Sequence, residues 1–329
     1  MFEMGKKLTF SHGIHPEEYK ELTASCAIER MPFSEEYVLP LGQHIGAPSK
    51  ALVKKGDAVK RGQLIAEPGG FVSVALHSPV DGTVLGIELT ETPNGAMAPA
   101  IRIKTDPFST QQLRPTPPEA FEQMDVKQFI RSIQMSGLVG LGGAAFPAHV
   151  KFSIPEGKTC KYIMLNGCEC EPFLTSDHRT MVEQPDAIID GTAILQHFLK
   201  AEKIFVGIEA NKPDAIAIPT EQFKQSGLPA EVVPLQVKYP QGAEKMLITA
   251  ILNKEVPSGK LPLDVETLVS NISTIAALSQ WFRKGIPLTE RVVTVTGTAV
   301  HRPANLLVPI GTSMQEVVAH CGGIRSEAS

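Results

Sequence analysis

Hydrophobic positions in the middle of the chain follow two different spacings. Continuous apolar runs, typical of buried parallel strands, occupy residues 161–167, 203–210 and 231–239. Apolar positions three and four residues apart, typical of helices, occupy residues 187–199, 213–227 and 243–253. Pro213 suits a helix start, whereas Pro219 is expected to interrupt or shorten the second helix. The alternation predicts right-handed crossovers and a parallel sheet covered on both faces, as in a Rossmann-like α/β domain.

The first 106 residues show a different pattern, in which short runs of Val, Ile and Leu are separated by glycine-containing turns. This arrangement resembles the barrel-sandwich hybrid fold of biotinyl and lipoyl carrier domains. Such a carrier needs a lysine at the tip of an exposed hairpin. No lysine occurs between Lys60 and Lys104, and the equivalent tip is PGGF at 68–71. We therefore expect a docking or scaffold role for this part of the chain.

Two changes in composition divide the chain. Residues 106–119 contain four prolines and little apolar periodicity, which is typical of a linker. A second break, KGIP at 284–287, precedes the β-rich run RVVTVTGTAV. The predicted organisation is a barrel-sandwich domain with an N-terminal segment at 1–106, a linker at 107–124, an α/β domain at 125–285 and a β-rich domain at 286–329.

Composition and charge argue against several classes of protein. The chain has 329 residues, a formal net charge of -4 and no basic block, so a nucleic-acid surface is not expected. No apolar run approaches the roughly 18 residues that a membrane span needs. The five cysteines form no CxxC pair, so neither a disulfide framework nor a metal site within this chain is predicted.

Two segments carry candidate chemistry. The glycines of GLVGLGGAAFP at 137–147 let backbone N–H groups approach a phosphate, which Lys151 can help to neutralise. This segment does not follow a strand and is not a dinucleotide fingerprint, so a glycine-rich turn packed under a helix is the alternative.

The second segment, NGCECEP at 166–172, follows a strand directly, where ligands of parallel sheets bind. In an extended stretch Glu169 and Glu171 would point the same way; a solvated acidic loop is the alternative. His149 and His178 are expected at the rim of the site.

Four segments together resemble the flavin-binding domain of the complex I flavoprotein subunit. GLVGLGGAAFPAHVKF is similar to GLRGRGGAGFPTGLKW of that family, and NGCECEP to NADEGEP. YPQGAEKML at 239–247 is similar to YICGEETAL, and ETLVSNISTIAAL at 266–278 to the NNVETL segment. With the flanking segments IHPEEYKEL and LPLGQHIGAP, these motifs resemble the C subunit of the Rnf complex over essentially the whole chain. That membrane complex exchanges electrons between ferredoxin and NAD while it moves ions.

The resemblance implies that FMN and NAD(H) bind, and that residues 286–329 form a β-grasp domain of the SLBB type. The residues implied around the FMN phosphate are Gly140, Gly142, Gly143, Ala144 and Lys151. Those implied to line the flavin are Asn166, Cys168, Glu169, Gly242, Asn271 and Thr274. Those implied nearer the nicotinamide nucleotide are Phe146, Glu171, Tyr239 and Glu244. No side chain is expected to act as nucleophile or general base, because the cofactors carry the redox chemistry.

Four positions depart from the complex I motifs. Leu141 replaces an arginine, Ala145 a glycine, Cys168 an aspartate and Ala243 a glutamate. A methyl group in place of a glycine hydrogen narrows the space beside the glycine segment, and a lost carboxylate removes a nearby charge. Weaker FMN binding than in complex I is therefore expected.

The resemblance also implies an assembly. The chain is expected to be a peripheral subunit of an oxidoreductase and translocase at the cytoplasmic face of the cell membrane. Its implied partners are other Rnf subunits and, indirectly, a ferredoxin-type electron carrier. Rnf C subunits normally continue into a ferredoxin-like module with two 4Fe–4S clusters, whose ligands are not in this sequence, so the chain alone is not expected to complete electron transfer.

Three other functions stay open at this stage. The A subunit of the sodium-pumping NADH:quinone reductase has a similar N-terminal and central architecture but lacks the full flavin motif. A flavin-dependent cobalamin reductase has a close glycine segment. The third is a non-catalytic docking scaffold.

Overall fold

The computed structural model describes residues 7–92, 95–115 and 120–325. Contacts divide the chain into two compact units. Unit 1 comprises Met1–Ala27 and Ile154–Ala276, and unit 2 comprises Ile28–Ser153 and Ala277–Ser329.

In chain order, the strands of the described residues are β1 (Ile28–Arg30), β2 (Glu36–Pro40), β3 (Lys50–Ala51), β4 (Ala58–Val59), β5 (Leu64–Glu67), β6 (Leu76–His77), β7 (Gly82–Glu91), β8 (Met97–Thr105), β9 (Tyr162–Asn166), β10 (Lys203–Glu209), β11 (Ala230–Leu235), β12 (Thr267–Asn271), β13 (Glu290–Val295) and β14 (Ala304–Pro309). The α-helices are α1 (Val126–Met135), α2 (Ala148–Phe152), α3 (Ser176–Glu183), α4 (Pro185–Leu199), α5 (Pro213–Ser226), α6 (Glu244–Leu252), α7 (Ile272–Lys284) and α8 (Met314–His320). Short 3-10 helices occupy Lys20–Leu22, Phe121–Gln123 and Pro262–Val265.

Unit 1 is built on a parallel sheet with the strand order β11-β10-β9-β12. The three strands predicted from apolar runs are confirmed, although β11 ends at Leu235 rather than at 239. The fourth strand, β12, pairs with β9 and was not predicted. The predicted Rossmann-like α/β architecture is therefore confirmed, with one more strand than the sequence indicated.

Helix α5 corrects one expectation. Pro219 does not interrupt or shorten it, because the helix runs through this residue to Ser226. Ala215, Pro219 and Phe223 are buried on one face at four-residue spacing. This face packs among α3, α4 and β11, and that burial offsets the backbone hydrogen bond that proline cannot make.

The N-terminal segment, residues 7–27, belongs to unit 1. Leu8 forms a parallel bridge with Leu235, and Ile14 forms an antiparallel bridge with Tyr239. The predicted domain bounds, drawn from sequence motifs, placed this segment with the barrel and stay a prediction. The contacts group the segment with the central sheet.

Unit 2 contains the barrel-sandwich part. One antiparallel sheet has the order β2-β8-β7-β4, and a smaller one has the order β3-β5-β6. The two share a hydrophobic core that includes Tyr37, Leu39, Ile65 and Ile101. The predicted barrel-sandwich fold is confirmed, and its core follows from the alternation of buried and half-buried positions in β2.

A third sheet of unit 2 has the order β1-β14-β13. Strand β1 pairs in parallel with β14, and Ile28 lies opposite Asn305. Strands β13 and β14 are antiparallel, as expected for the β-rich end of the chain. Strand β1, Ile28–Arg30, was not predicted from the sequence.

Candidate functional site

The glycine loop, residues 137–147, connects α1 to α2 in unit 2. Its ends meet in a bridge between Val139 and Pro147. The N–H of Gly140 also donates to the carbonyl of Phe146 at 2.8 Å. These contacts close the segment into a defined turn.

The tip of the glycine loop is open to solvent. Gly142, Gly143 and Ala144 are exposed, and Gly143 has a φ of 122°, where an L side chain is strained. Nothing lies within 4 Å of a Cβ built at Gly143, so the backbone conformation rather than space favours glycine. Phe146 and Lys151, the other predicted residues of this unit, are half-buried.

The barrel tip, residues 68–73, contacts the helices on both sides of the glycine loop. The side-chain amide of Gln134 in α1 donates to three of its carbonyls. The acceptors are Gly70 at 3.0 Å, Phe71 at 3.2 Å and Ser73 at 2.9 Å. From α2, Nε2 of His149 lies 2.6 Å from the Phe71 carbonyl. The tip that bears the lysine in a carrier domain is used here to hold helices α1 and α2.

His149 is a buried residue in α2. Burial lowers the pKa of its imidazole, which is therefore neutral at pH 7. Its Nε2–H then donates to Phe71, and its buried Nδ1 has no hydrogen-bond partner among the described residues. The expectation that His149 and His178 are rim residues is wrong, because their exposed fractions are only 0% and 6%.

The acidic loop, residues 166–175, follows β9 at the carboxyl edge of the sheet in unit 1. The Asn166 amide donates to the carbonyl of Gly242 at 2.8 Å and accepts from the N–H of Cys168 at 3.2 Å. The N–H of Gly242 donates to Sγ of Cys170 at 3.2 Å. A Cβ at Gly242 would lie only 3.3 Å from that sulfur, so the close approach favours glycine.

The two cysteines of the acidic loop are neutral thiols. Burial raises the pKa of Cys168 well above its ordinary value and that of Cys170 to about 11. Cys168 is completely buried in a core cluster with Met164 and Leu247. Its side chain therefore has no exposed surface for a ligand, and only its backbone is left for the predicted contact with a flavin.

The two glutamates of the loop do not point the same way. The Glu169 carboxylate accepts hydrogen bonds from Ser176 Oγ, Asp177 N and His178 N at 3.0, 2.7 and 3.2 Å, and so caps α3. The expectation from an extended stretch is wrong, because the φ of Glu169 is 48°. Glu171 is exposed.

Two buried lysines hold the carbonyls of the acidic loop. Nζ of Lys20 donates to the carbonyls of Glu169, Glu171 and Leu174 at 2.8, 2.9 and 2.6 Å. Nζ of Lys212 donates to the carbonyl of Cys168 at 2.7 Å. Burial lowers the pKa of Lys20. Neither lysine was predicted from the sequence, because both stand in polar stretches that resemble solvated loops.

The neighbouring strand ends carry the remaining predicted residues of unit 1. Asn271 lies opposite Asn166 in the pairing of β12 with β9, and its amide donates to Asp177 at 2.6 Å and accepts from the N–H of Thr274 at 3.2 Å. Glu244 is the first residue of α6. Tyr239, opposite Ile14, is 39% exposed.

The predicted residues thus form two sets, each within its own unit. Unit 2 contains Gly140, Gly142, Gly143, Ala144, Phe146 and Lys151. Unit 1 contains Asn166, Cys168, Glu169, Glu171, Tyr239, Gly242, Glu244, Asn271 and Thr274. The first set offers exposed backbone suited to phosphate oxygens, and the second offers amides and carboxylates at the carboxyl edge of a parallel sheet. Each set fits one part of a flavin nucleotide or dinucleotide: the first fits the phosphate, and the second fits the polar groups of the rings. No group of three or more possible metal ligands occurs within the described ranges.

Family models match three successive parts of the chain. Residues 8–107 match a model described as the RnfC barrel sandwich hybrid domain, residues 133–280 the Nuo51 FMN-binding domain and residues 292–329 the SLBB domain. This combination defines a redox-complex subunit with a flavin-binding type of α/β domain.

Relatives of this chain are C subunits of oxidoreductase complexes. The C subunit of the proton-translocating ferredoxin:NAD(+) oxidoreductase complex of Clostridium ljungdahlii is 42% identical, with 97% of this chain and 69% of that protein covered. The C subunit of the Na(+)-translocating complex of Acetobacterium woodii is 40% identical, with 97% and 72% covered. The C subunit of the ion-translocating oxidoreductase complex of Rhodobacter capsulatus is 38% identical, with 99% and 63% covered. The chain belongs to the family of C subunits of Rnf-type ion-translocating oxidoreductases.

A solved structure shares the fold of part of the chain. It is a crystal structure of an NAD+-reducing NiFe hydrogenase in the air-oxidised state, with a TM-score of 0.53 and 19% identity. The match covers 63% of this chain and 41% of that one. At this identity the likeness supports the fold alone. In the described part of the chain, every helix is too short or too polar to cross a bilayer.

Proposed function

We propose that this chain binds FMN and NAD(H) and takes part in electron exchange between NAD and ferredoxin in an ion-translocating complex. The observation that carries the proposal is the glycine loop. Its tip is exposed, it contains a glycine in a conformation that favours glycine, and it lies within the segment that matches the FMN-binding family model. The relatives whose names include ferredoxin:NAD(+) oxidoreductase supply the reaction class.

The glycine loop is the proposed phosphate-binding segment. Backbone N–H groups at Gly142, Gly143 and Ala144 would donate to phosphate oxygens, because their exposed turn lets a ligand approach without meeting side chains. Lys151 would add a positive charge. Gly140 would keep the turn closed through its bond to Phe146.

The carboxyl edge of the sheet in unit 1 is the proposed flavin-lining set. Asn166 and Asn271 lie at paired positions and present amide groups that can recognise a heterocycle with donors and acceptors. Gly242 would allow close approach, and Thr274 would fix the Asn271 amide through its N–H. Cys168 and Glu169 would contribute backbone, since their side chains are used within the protein.

The nicotinamide nucleotide would be bound by four further side chains. Glu171, which is exposed, and Glu244 would accept hydrogen bonds from ribose or carboxamide groups. Phe146 and Tyr239 offer aromatic faces for stacking. Bound FMN would supply the exchange of one hydride for two single electrons. None of these protein groups needs to form a covalent bond to the substrate.

The assembly is proposed from the family. Other subunits of the complex would supply one-electron acceptors and the route to a ferredoxin-type carrier, and would hold this chain at the cytoplasmic face of the membrane. The chain covers 63–72% of the length of the three relatives described above. The complete activity of those proteins is therefore proposed here for the assembled complex.

The test is an anoxic titration of the purified protein. FMN added in steps should lose fluorescence as it binds, and NADH added afterwards should bleach its visible absorption band. Free FMN with NADH, at the same concentrations without protein, is the control for uncatalysed reduction. Absence of both binding and bleaching would contradict the proposal and favour a docking scaffold. Bleaching with NADPH alone would contradict the assigned nucleotide.

A further inference from the structure

The acidic loop is held by a residue from a distant part of the sequence. Lys20 lies in the N-terminal segment, and its ammonium group uses all three donors on carbonyls of residues 169–174. Only 8% of its surface is exposed. A buried charge is costly unless it is well paired, so a lysine with three backbone acceptors is a specific feature of the fold.

The N-terminal segment is attached to the loop at other points as well. Tyr19 stacks on Phe173 with 4.8 Å between ring centroids. The hydroxyls of Thr23 and Thr175 lie 2.7 Å apart, and the Phe173 N–H donates to the Glu18 carbonyl at 2.8 Å. Lys20 is therefore held in place by its flanking residues.

The buried charges near the loop have a positive excess. Three lysines, Lys20, Lys212 and Lys238, are buried there together with two carboxylates, Glu169 and Glu209. Lys212 lies 3.2 Å from Glu209. Lys238 donates to two backbone carbonyls and lies 3.9 Å from the centroid of the Phe10 ring. Among these buried groups the lysines outnumber the carboxylates by one, and the exposed carboxylate of Glu171 also lies near Lys20.

The lysines also fix the direction of the loop amides. The carbonyls of Cys168 and Glu169 both bind ammonium groups. In a trans peptide the N–H points opposite to the carbonyl of the same unit. The N–H groups of Glu169 and Cys170 are therefore directed away from the lysines. Consecutive N–H groups around a residue of positive φ, such as Glu169, form a concavity that suits electron-rich atoms.

We propose that Lys20 is a positioning residue of the flavin site. Together with Lys212 it binds the carbonyl side of the acidic loop, leaves the N–H side available to an electron-rich ligand, and supplies positive charge that favours the reduced flavin, which carries more negative charge than the oxidised form. This inference rests on the proposed function, with FMN as that ligand.

The test compares Lys20→Met with two controls. Lys161→Met removes a half-buried lysine of the same unit, whose ammonium group lies 2.7 Å from the Glu266 carboxylate. Thr23→Val removes a neutral hydrogen bond of the N-terminal segment and leaves the charge unchanged. Circular dichroism first shows that each variant folds. Three quantities are then measured: amide hydrogen exchange of residues 166–176 without FMN, the FMN dissociation constant, and the midpoint potential of bound FMN.

Lys20→Met is expected to speed exchange in the loop and to raise the FMN dissociation constant at least about tenfold, as loss of a charged hydrogen-bonding group would. It should also lower the midpoint potential, because a positive charge is lost. Thr23→Val should speed amide exchange in the loop without changing the midpoint potential of bound FMN. Lys161→Met should change neither quantity. If Lys20→Met does not fold, Lys20→Arg is measured instead. It keeps the charge, so it should retain the wild-type potential.

The outcomes separate this inference from the proposed function. If the wild-type protein binds no FMN, both fail. If the wild-type protein binds FMN while Lys20→Met has the same dissociation constant and potential, only the inference fails. A faster loop exchange with an unchanged potential would show that Lys20 has a purely structural role, which also overturns it. If the midpoint potential of Lys20→Arg were as low as that expected for Lys20→Met, the inference would also be overturned.

Discussion

The glycine loop and the acidic loop are held in opposite ways. On both sides of the glycine loop, a neutral amide and a neutral imidazole, those of Gln134 and His149, bind carbonyls of the barrel tip. The acidic loop is held through its own carbonyls by the ammonium groups of Lys20 and Lys212. In each case side chains bind backbone carbonyls of a segment remote from them in sequence, but only one of the two arrangements brings buried charge.

The difference suits the two kinds of ligand contact. The glycine loop offers backbone N–H groups to a phosphate, whose negative charge already provides strong attraction. The acidic loop is proposed to lie beside a ring whose charge changes during the reaction, and fixed positive charge there affects the reduced and oxidised forms differently. The contacts of the neutral His149 should therefore weaken in acid. The charge of Lys20 should instead change the midpoint potential of bound FMN.

The largest effect is expected when the neutral contacts are removed. Gln134→Leu leaves the carbonyls of Gly70 and Ser73 without their donor, whereas the Phe71 carbonyl keeps His149. A buried unsatisfied group costs about 1–3 kcal/mol, so unit 2 should lose about 2–4 kcal/mol of unfolding free energy. Trp281, the single tryptophan of the chain, is buried in this unit and donates to Ser132, so its fluorescence follows urea unfolding.

Gln225→Leu is the matched control for that experiment, because the Gln225 amide donates to the Glu221 carboxylate on an exposed helix face. An unchanged urea midpoint for Gln134→Leu would show that the barrel tip does not stabilise α1. The distinction between neutral and charged contacts would then lose its structural basis.

Acid should weaken unit 2. Burial lowers the pKa of His77 to about 4 and also lowers that of His149. An unfolded histidine takes up a proton near pH 6.5. The folded state therefore loses stability as the pH falls from about 6.5 towards 4, by about 3 kcal/mol for His77. Urea midpoints from Trp281 fluorescence at pH 7 and pH 4.5 measure this loss.

His77→Gln should reduce that pH dependence, because the substituted side chain does not titrate. His301→Gln, at an exposed position of the same unit, should leave the dependence as in the wild type. Carboxylates contribute equally to all three proteins, so the difference isolates His77. Equal slopes for the wild type and His77→Gln would contradict the assignment.

Backbone strain distinguishes the glycine loop from an ordinary turn. Gly143→Ala places a Cβ at a φ of 122° and is expected to cost about 1–3 kcal/mol locally. The FMN dissociation constant should rise roughly tenfold. Gly227→Ala places similar strain, at a φ of 73°, at the end of α5. That control should lower stability and leave FMN binding unchanged; an equal effect of both variants on FMN binding would argue against a specific role of the loop.

The smallest effect is expected for one carboxylate of the acidic loop. Glu171→Gln keeps the backbone carbonyl that Lys20 binds and removes only the side-chain charge. The KM for NADH should rise by about three- to tenfold, as for loss of one hydrogen bond, with FMN affinity retained. Glu255→Gln, at an exposed position, is the control. Unaltered NADH kinetics would end the proposed role of Glu171.

The fold was predictable wherever the sequence pattern is local. Apolar runs identified β9, β10 and β11, and helical spacing identified α4, α5 and α6. Strand β12 was missed because its sequence, TLVSN, contains three polar and only two apolar side chains, although all but the last are buried. Strand β1 was missed because it has three residues and a pairing partner near the other end of the chain. Non-local pairing leaves no periodic signal.

The site was predictable in its backbone features and less so in its side chains. The glycine loop was identified from its composition, and Gly143 has the unusual φ that such composition indicates. The orientation of Glu169 was not predictable, because its positive φ directs the carboxylate to the N-terminus of α3, which it caps. The burial of Lys20 was not predictable either, because a lysine in a polar stretch indicates solvent exposure unless the fold supplies acceptors. Those acceptors come from residues about 150 positions away.

The pairing of β1 with β14 has a consequence for synthesis of the protein. Ile28 is translated well before its partner Asn305, and most of the described chain lies between them. The barrel strands β2 to β8 are also complete before β14 is made, so β1 stays unpaired beside a barrel whose own strands are already present. Contacts of such long sequence separation form slowly and leave strand edges open to wrong partners. Interrupted translation would therefore release a chain with an open edge.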